Sequence, residues 1–403
     1  MHTENELKTF DAGDLRSLTQ YRCQRVREEL ARRDCAGIVL FDPIHIRYAT
    51  GSSNMQVWTT HNPVRYALVL TTGPTVMFEF PGAAHLLNLP GVMVDEIRRP
   101  EIFMYLIVGE RACACSRSWA SEIAALVKAH SGSNKRLAVD RVAPAGAFAL
   151  AAEGLEVEDG EAVMECARQI KSRQEIELIR HSIRVAEDGM RAMRAVLSPG
   201  ISEQQLWSHL HQSAIAGGAE WFETRLLTSG PKTAPWYQEC GDRVIQSGDV
   251  ISFDTDMIGP FGYCADISRS WLCGDRKPTD AQRRLYVAAY EILQRNLSLL
   301  TPDLGFAEYA QVCGDLPEIY RNRRYTVVAH GVGMADEYPL IPYPCDVANA
   351  PLKGQFRENM VICVECYLSR NDGSEGIKLE EQVALTDSGI EKLSTFPFEE
   401  AWL

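Results

Sequence analysis

Residues 248–256 read Gly-Asp-Val-Ile-Ser-Phe-Asp-Thr-Asp, a short apolar run that ends in two carboxylates, Asp254 and Asp256. An apolar run of this length after a glycine is typical of a buried β-strand. A turn containing two glycines follows, and Asp266 then lies within the next predicted strand, Tyr263–Leu272. A carboxylate among apolar strand residues cannot stay ionised in a dry core without a compensating charge. This segment therefore predicts a sheet that carries a buried acidic site.

Three more ionisable residues lie at or inside apolar strand patterns farther along the chain. They are His330 at the end of Tyr325–His330, Glu365 within Met360–Tyr367, and Glu380 within Lys378–Leu385. Taken singly, each has an ordinary structural explanation, such as a turn contact or a solvated strand end. Because ionisable residues recur in the same kind of apolar strand pattern, the set as a whole is harder to explain by structural roles alone.

Taken together, these residues form a candidate ligand set for metal ions: Asp254, Asp256, Asp266, His330, Glu365 and Glu380. Carboxylates that converge on one cavity repel one another and need cations of comparable charge. Oxygen ligands with a single imidazole suit a pair of divalent ions, whereas four thiolates would indicate a structural zinc site. We therefore expect two divalent metal ions, iron in the first place, with manganese, zinc or cobalt as alternatives.

The surrounding sequence divides the chain into two domains. The first third alternates predicted helices and strands, which indicates a small α/β domain. Its predicted elements are helices at 15–33 and 119–129 and strands at 37–41, 66–70, 75–80 and 136–140. From Ile170 a long amphipathic helix begins, followed by helices at 202–217 and 281–299 and by further strands, one of them at 224–227. We expect domains at residues 1–168 and 169–403.

The amino-acid composition and the net charge indicate which class of protein this chain belongs to. Hydrophobic residues make up 46% of the 403 residues and charged residues 24%, which is typical of a folded globular chain. With 41 Lys and Arg against 54 Asp and Glu, the formal charge is -13, which argues against binding to nucleic acid or to an anionic membrane. The polar amino terminus lacks the apolar core of a secretion signal. We expect a cytoplasmic protein whose twelve cysteines are reduced.

The order of the acidic residues and the histidine resembles the creatinase, prolidase and methionine aminopeptidase superfamily. The resemblance extends through Gly248–Asp254, the segment Gly262–Arg269 and His330-Gly-Val-Gly333. In the first domain it includes Ile46-Arg-Tyr-Ala-Thr-Gly51. It implies an α/β (α+β) chain, in which a creatinase-type amino-terminal domain precedes a catalytic domain of the pita-bread fold. This fold supports several reactions, so the resemblance does not by itself name one.

Two departures from the proline-directed peptidases bear on the reaction. In those peptidases one histidine lies before the strand that corresponds to Gly248–Asp254 here. Another lies after the segment that corresponds to His330-Gly-Val-Gly333. The corresponding residues here are Trp236 and Asp336. An indole cannot take over proton donation, and a carboxylate would oppose a developing oxyanion, so amide hydrolysis is disfavoured.

The same two residues suit a β-elimination. If metal ions hold a substrate carboxylate, its α-protons become more acidic, and Asp336 can act as the general base. A cationic leaving group can then lie against Trp236 or Tyr237, with a cation–π attraction of roughly 0.5–2 kcal/mol. The segments 253–271, 330–339 and 49–58 resemble one branch of the superfamily, the DddP-type dimethylsulfoniopropionate lyases, which form dimethyl sulfide and acrylate.

That resemblance implies metal ligation by the six residues named above, Asp336 as the base and Tyr325 in the substrate pocket. Separately, we expect Trp58, with His61 nearby, to reach a substrate pocket from the first domain or a partner subunit. The resemblance also suggests a homodimer. The expected partner is a small onium carboxylate. Two alternatives stay open: a dimetal Xaa-Pro dipeptidase, aminopeptidase or creatinase-type C–N hydrolase, and a non-catalytic pita-bread binding module.

Overall fold

The computed structural model describes residues 10–314, 316–346 and 352–403, so the first nine residues of the polar amino terminus lie outside it. The chain forms two compact units, Met1–Arg168 and Gln169–Leu403. Among the described residues, no helix combines the length and apolar character needed to cross a bilayer. The combination of an α/β first unit with a second unit of antiparallel sheets and helices confirms the predicted fold class.

The first unit is built around one six-stranded mixed sheet in the order β4-β3-β2-β1-β5-β6. Its strands are β1 Gly37–Leu40, β2 Tyr66–Leu70, β3 Thr75–Phe78, β4 Glu96–Arg98, β5 Arg136–Val139 and β6 Glu156–Asp159. Its helices are α1 Ala12–Arg32, α2 Pro43–Thr50, α3 Gln56–His61, α4 Tyr105–Val108, α5 Ala112–Ser131, α6 Pro144–Ala152 and α7 Glu161–Arg168. Side chains of β1, β2, β3 and α5 form its apolar core, with Trp119 fully buried.

In its described residues, the second unit combines four α-helices with three antiparallel sheets. Its helices are α8 Arg173–Val196, α9 Glu203–Ala216, α10 Asp280–Leu299 and α11 Phe306–Cys313. Its strands are β7 Trp221–Phe222, β8 Leu227–Ser229, β9 Val250–Asp254, β10 Met257–Ile258, β11 Cys264–Ala265, β12 Ser268–Leu272, β13 Val327–Val332, β14 Asp336–Pro342, β15 Val361–Ser369, β16 Gly376–Thr386 and β17 Gly389–Lys392. The strand orders are β14-β13-β15-β16-β17, β12-β9-β8 and β11-β10-β7.

The long helix α8 begins at a capping box, in which the Ser172 hydroxyl accepts a hydrogen bond from Glu175 N and the Glu175 carboxylate accepts one from Ser172 N. Its buried face carries Ile176, Ile179 and Ile183, as the helical spacing predicts. The core of the second unit is formed mainly by α10, α11 and the five-stranded sheet. The rigid sheets of this unit supply the framework for the acidic residues.

Two strand predictions differ from the structure. The strand predicted over 263–272 is interrupted between β11 and β12, because the Thr255 hydroxyl accepts a hydrogen bond from Ile267 N and donates one to Ala265 O. The strand predicted over 224–227 is displaced to Leu227–Ser229, and the Thr224 hydroxyl instead contacts the Asp256 carboxylate. All twelve cysteines lie in the described residues and none forms a disulfide, as expected.

Candidate metal centre

The predicted ligand residues converge in the second unit. Asp254 ends β9, Asp266 lies between β11 and β12, and His330, Glu365 and Glu380 lie on β13, β15 and β16. The pairing of β15 with β16 places Glu365 directly opposite Glu380. The exposed fractions of the five residues lie between 1% and 7%, so the group is almost closed to solvent. We refer to Asp254, Asp266, His330, Glu365 and Glu380 as the acidic cluster.

The His330 imidazole lies between three carboxylates. Its Nε2 is 3.3 Å from Asp266 Oδ2, 3.5 Å from Glu380 Oε1 and 3.7 Å from Glu365 Oε1. Its Nδ1 is 3.0 Å from Gly331 O, and a carbonyl oxygen can only accept a hydrogen bond. Nδ1 therefore carries a proton. Burial opposes the charged imidazole, but the Asp336, Asp266 and Glu380 carboxylates raise the pKa of His330 well above its ordinary value. Nε2 is thus protonated as well, and a bound metal ion would take the place of that proton.

Lys378 is a member of this site that the sequence analysis missed. Its buried Nζ lies 2.8 Å from Glu380 Oε2 and 2.9 Å from both Asp254 Oδ2 and Glu365 Oε2. It also donates to Ser268 Oγ at 2.9 Å. The signal was available, because residues two apart on a strand share a face and Lys378 precedes Glu380 by two. One internal cation thus holds three carboxylates of the acidic cluster together.

The Lys378 ammonium satisfies only one oxygen of each carboxylate that it contacts. Asp254 Oδ1, Glu365 Oε1 and Glu380 Oε1 are buried without a hydrogen-bond partner in the described structure. Asp266 Oδ1 is likewise buried without a hydrogen-bond partner in the described structure. Buried polar atoms are almost always hydrogen-bonded, and four orphaned carboxylate oxygens together with one imidazole match the donor set of a hard or borderline divalent cation. The residues present therefore fit a metal site.

The candidate ligand atoms divide into two groups that share Asp266. One group comprises Asp266, His330, Cys363 and Glu380, and the other comprises Asp254, Asp256 and Asp266, with the ligand atoms of each group within 4.8 Å of one another. Cys363 was not predicted. It lies two residues before Glu365 on β15, and its thiol contacts Asp266 O at 3.7 Å. Asp256 is less buried than the acidic cluster and adopts a positive φ of 35°.

Burial and mutual repulsion shift the pKa values of the carboxyl groups in the acidic cluster. Burial raises the pKa of Glu365 to about 8, although the Lys378 ammonium opposes the change. Burial also raises the pKa of Asp266 well above its ordinary value, and repulsion from Glu380 and Asp254 adds to this shift. For Glu380, burial favours the neutral acid, but Lys378 and His330 lower its pKa to about 2. The positive charges of Lys378 and His330 do not balance the negative charges of all these carboxylates. Bound divalent ions would supply the missing positive charge.

Asp336 lies at the edge of the acidic cluster. It begins β14, its side chain is 65% exposed, and its Oδ1 is 3.4 Å from His330 Nδ1. An exposed carboxylate that contacts a cluster residue is accessible to a small molecule and close to the candidate metal ligands. This placement is compatible with the predicted role as a base, which stays a prediction.

The predicted aromatic contact residues of the second unit lie on the Lys378 side of the site. The rings of Trp236 and Tyr325 each have their centroid 5.7 Å from Lys378 Nζ, and Tyr237 packs edge-on against Tyr325 at 5.2 Å. Trp236 is buried, whereas Tyr237 is 64% exposed. Burial and the neighbouring Glu365 carboxylate raise the pKa of Tyr325 far above its ordinary value, so its phenol stays protonated. Trp58 lies on α3 of the first unit and is 46% exposed; its predicted role is not tested by this placement.

Comparison with known proteins matches both parts of the chain. Residues 177–387 match metallopeptidase family M24, and residues 22–170 match the creatinase/prolidase N-terminal domain. The chain belongs to metallopeptidase family M24. The predicted superfamily is thereby confirmed.

Two relatives are similar over most of their length. Dimethylsulfoniopropionate lyase DddP of Roseovarius nubinhibens is 37% identical over 393 residues, which cover 96% of this chain and 88% of that protein. The protein of the same name from Roseobacter denitrificans is 37% identical over 397 residues, with 97% and 89% covered. Among solved structures, an Xaa-Pro dipeptidase from Bacillus anthracis superposes with a TM-score of 0.77 at 18% identity, covering 94% of this chain and 99% of that one. This last likeness concerns the fold alone.

Proposed function

We propose that this M24 family member is a metal-dependent carbon–sulfur lyase that cleaves dimethylsulfoniopropionate, or a close onium carboxylate, to dimethyl sulfide and acrylate. The observation that carries the proposal is the placement of Asp336, an exposed carboxylate 3.4 Å from the imidazole of a buried acidic cluster. A carboxylate there can accept a proton, whereas it would oppose the oxyanion of amide hydrolysis. The two lyases that are 37% identical over nearly the whole chain support the same reaction.

The acidic cluster and Asp256 would hold two divalent ions, of which iron is our first candidate and manganese, zinc or cobalt the alternatives. Bound there, the ions would neutralise the buried carboxylates and stabilise negative charge that develops on the substrate. His330, with its Nδ1 proton fixed on Gly331 O, would present Nε2 as the imidazole ligand. Lys378 would keep Asp254, Glu365 and Glu380 oriented toward the same space.

In the proposed reaction, Asp336 removes the α-proton of the substrate. The electron pair of that C–H bond forms the new carbon–carbon double bond, and the β-carbon–sulfur bond breaks with its electrons leaving on sulfur. The sulfonium thereby becomes neutral dimethyl sulfide, the remaining fragment is acrylate, and the proton passes from Asp336 to water. Trp236, Tyr237 and Tyr325 are the residues that we propose contact the substrate, and the role of Trp58 stays a prediction from the sequence.

Release of dimethyl sulfide into the headspace by the iron- or manganese-loaded protein tests the proposal. The Asp336→Asn variant should lose about 10²–10⁴-fold in kcat, the usual contribution of a general base, while its metal content stays unchanged. Asp372→Asn is a matched control, because Asp372 is an exposed aspartate of the same unit whose carboxylate accepts a hydrogen bond from Ser374 N. Full activity of Asp336→Asn would remove Asp336 as the base. Cleavage of Ala-Pro without release of dimethyl sulfide would replace the lyase with a dipeptidase.

A further inference from the structure

The backbone pairing between the two strand segments that carry the aspartates is interrupted at the candidate metal centre. Before the gap, Asp254 of β9 pairs with Ser268 of β12. After it, Met257 of β10 pairs with Ala265 of β11. The gap has the same length on both segments, so neither segment carries an inserted residue. The second group of candidate ligands lies at this gap: Asp254, Asp256 and Asp266.

The Thr255 hydroxyl takes the place of the missing backbone pairing. It accepts a hydrogen bond from Ile267 N at 2.9 Å and donates one to Ala265 O at 2.8 Å. These two backbone groups belong to the residues on either side of Asp266, so the hydroxyl holds the chain on both sides of this candidate ligand. Thr255 is completely buried and directly follows Asp254. One hydroxyl therefore connects the two segments on which the three aspartates lie.

Side chains of the five-stranded sheet hold the backbone of Asp266 itself. Asp266 N donates to Gln382 Oε1 at 3.1 Å, and Gln382 Nε2 donates to Cys264 O at 3.3 Å. The Cys363 thiol contacts Asp266 O at 3.7 Å. Gln382 is completely buried and lies on β16 two residues after Glu380, so the two side chains share a face of the strand. These contacts fix the place of Asp266 relative to the strand that carries Glu380.

We propose that Thr255 and Gln382 are positioning residues of the metal centre, which hold Asp266 where its carboxylate can bridge two ions. Asp266 is the carboxylate that both groups of candidate ligands share, so its place decides whether two ions are bound side by side. If its backbone moved, the carboxylate could serve one group and lose the other. The inference rests on the two-ion part of the proposed function and deepens it, because it names residues that would keep the ions paired.

Titration of the metal-free protein with Mn²⁺, followed by electron paramagnetic resonance, tests the inference. Two Mn²⁺ ions bridged by one carboxylate are spin-coupled, whereas separate ions give the signal of isolated Mn²⁺. The wild type should bind two ions and show the coupled signal. Thr255→Val removes the acceptor of Ile267 N and should weaken the second binding step about 10–100-fold, the usual effect of losing a hydrogen bond that orients a metal ligand. Thr255→Ser keeps the hydroxyl and should retain the coupled signal.

Thr228→Val is the matched control. Thr228 is a buried threonine of β8, the strand that pairs with β9, and its hydroxyl has no hydrogen-bond partner among the described residues. This variant should bind two ions and keep the coupled signal. Gln382→Met removes the acceptor of Asp266 N and should weaken the second binding step as Thr255→Val does. It decides the question if Thr255→Val does not fold.

The outcomes separate this inference from the proposed function. A wild-type coupled signal in Thr255→Val and Gln382→Met overturns the inference, and so does a wild type that binds a single ion. Loss of the coupled signal in Thr228→Val as well would overturn the specific role of Thr255. Coupled ions in the wild type and uncoupled ions in both test variants support the positioning role even if no dimethyl sulfide is released; in that case the lyase proposal fails alone. Release of dimethyl sulfide by a protein with one bound ion leaves the lyase in place and removes the positioning role.

Discussion

The ammonium of Lys171 lies 2.7 Å from the carboxylate of Glu337, and both side chains are almost completely buried. The other oxygen of Glu337 accepts a hydrogen bond from Met334 N at 3.1 Å. These contacts fix the turn between β13 and β14, and the residue immediately before Glu337 is Asp336. The orientation of the proposed base thus depends on the buried ion pair of Lys171 and Glu337.

Replacing Lys171 by Met should therefore destabilise the protein and impair the reaction. Removal of one partner from a buried pair leaves an uncompensated charge, which typically costs about 3–5 kcal/mol in the free energy of unfolding. Urea unfolding measures this loss, and the double variant Lys171→Met/Glu337→Leu should recover much of it. Lys277→Met, at an exposed lysine, should stay within about 0.5 kcal/mol of the wild type. Equal stability of Lys171→Met and Lys277→Met would show that the pair contributes nothing.

Gly333 should not tolerate a side chain. A Cβ at this position would lie 2.3 Å from the Glu337 carboxylate oxygen, so the alanine variant must displace the group that holds the turn. We expect Gly333→Ala to lower the free energy of unfolding by about 1–3 kcal/mol, the usual range for overpacking, and to lower kcat as Asp336 shifts. Gly82→Ala is the control, because a Cβ at Gly82 meets no atom within 4 Å. A wild-type melting temperature for Gly333→Ala would contradict this prediction.

Metal ions should stabilise the folded protein. A ligand that binds only the folded state adds about 2.7 kcal/mol when its free concentration is 100 times the dissociation constant. Thermal unfolding with chelator and then with excess Mn²⁺ measures the shift, and Asp266→Asn should abolish most of it because Asp266 belongs to both groups of candidate ligands. Asp372→Asn should keep the full shift. A metal-independent melting temperature in the wild type would argue for the non-catalytic binding module.

Acid should destabilise the protein through His181, which lies on α8 and is not one of the candidate metal ligands. Burial lowers the pKa of His181 from its ordinary value of 6.5, with a smaller contribution from Arg184, and its Nδ1 has no hydrogen-bond partner among the described residues. Because the folded pKa is depressed, its stability contribution is present above the unfolded value and is lost as the pH falls through the folded value. Unfolding measured from pH 7.5 to 5 should show a shallower decline for His181→Gln than for the wild type. His130→Gln, at an exposed histidine, should retain the wild-type slope.

From the sequence, the strands of the sheets could be predicted more completely than the charged side chains that lie around them. Glu365 and Glu380 were identifiable because each interrupts an apolar strand pattern, and the structure pairs them across β15 and β16. Lys378 was not identified, although it precedes Glu380 by two residues and so shares its face, because a lysine at the start of a strand pattern usually marks a solvated end. The break at Asp266 depends on the Thr255 hydroxyl, a contact that no local periodicity encodes.

Charged side chains on both faces of β16 form ion pairs. Glu380 faces the cluster, while the next residue, Glu381, pairs with the buried guanidinium of Arg269. A slip of β16 by one residue in either direction would turn Lys378 away from the acidic cluster. In one direction Leu379 would replace Glu380 in the cluster, and in the other Gln382 would replace Glu381 and leave Arg269 without its anion. Misaligned pairings of this hairpin are thus penalised twice, so correct alignment during folding is enforced by electrostatics as well as by the apolar pattern.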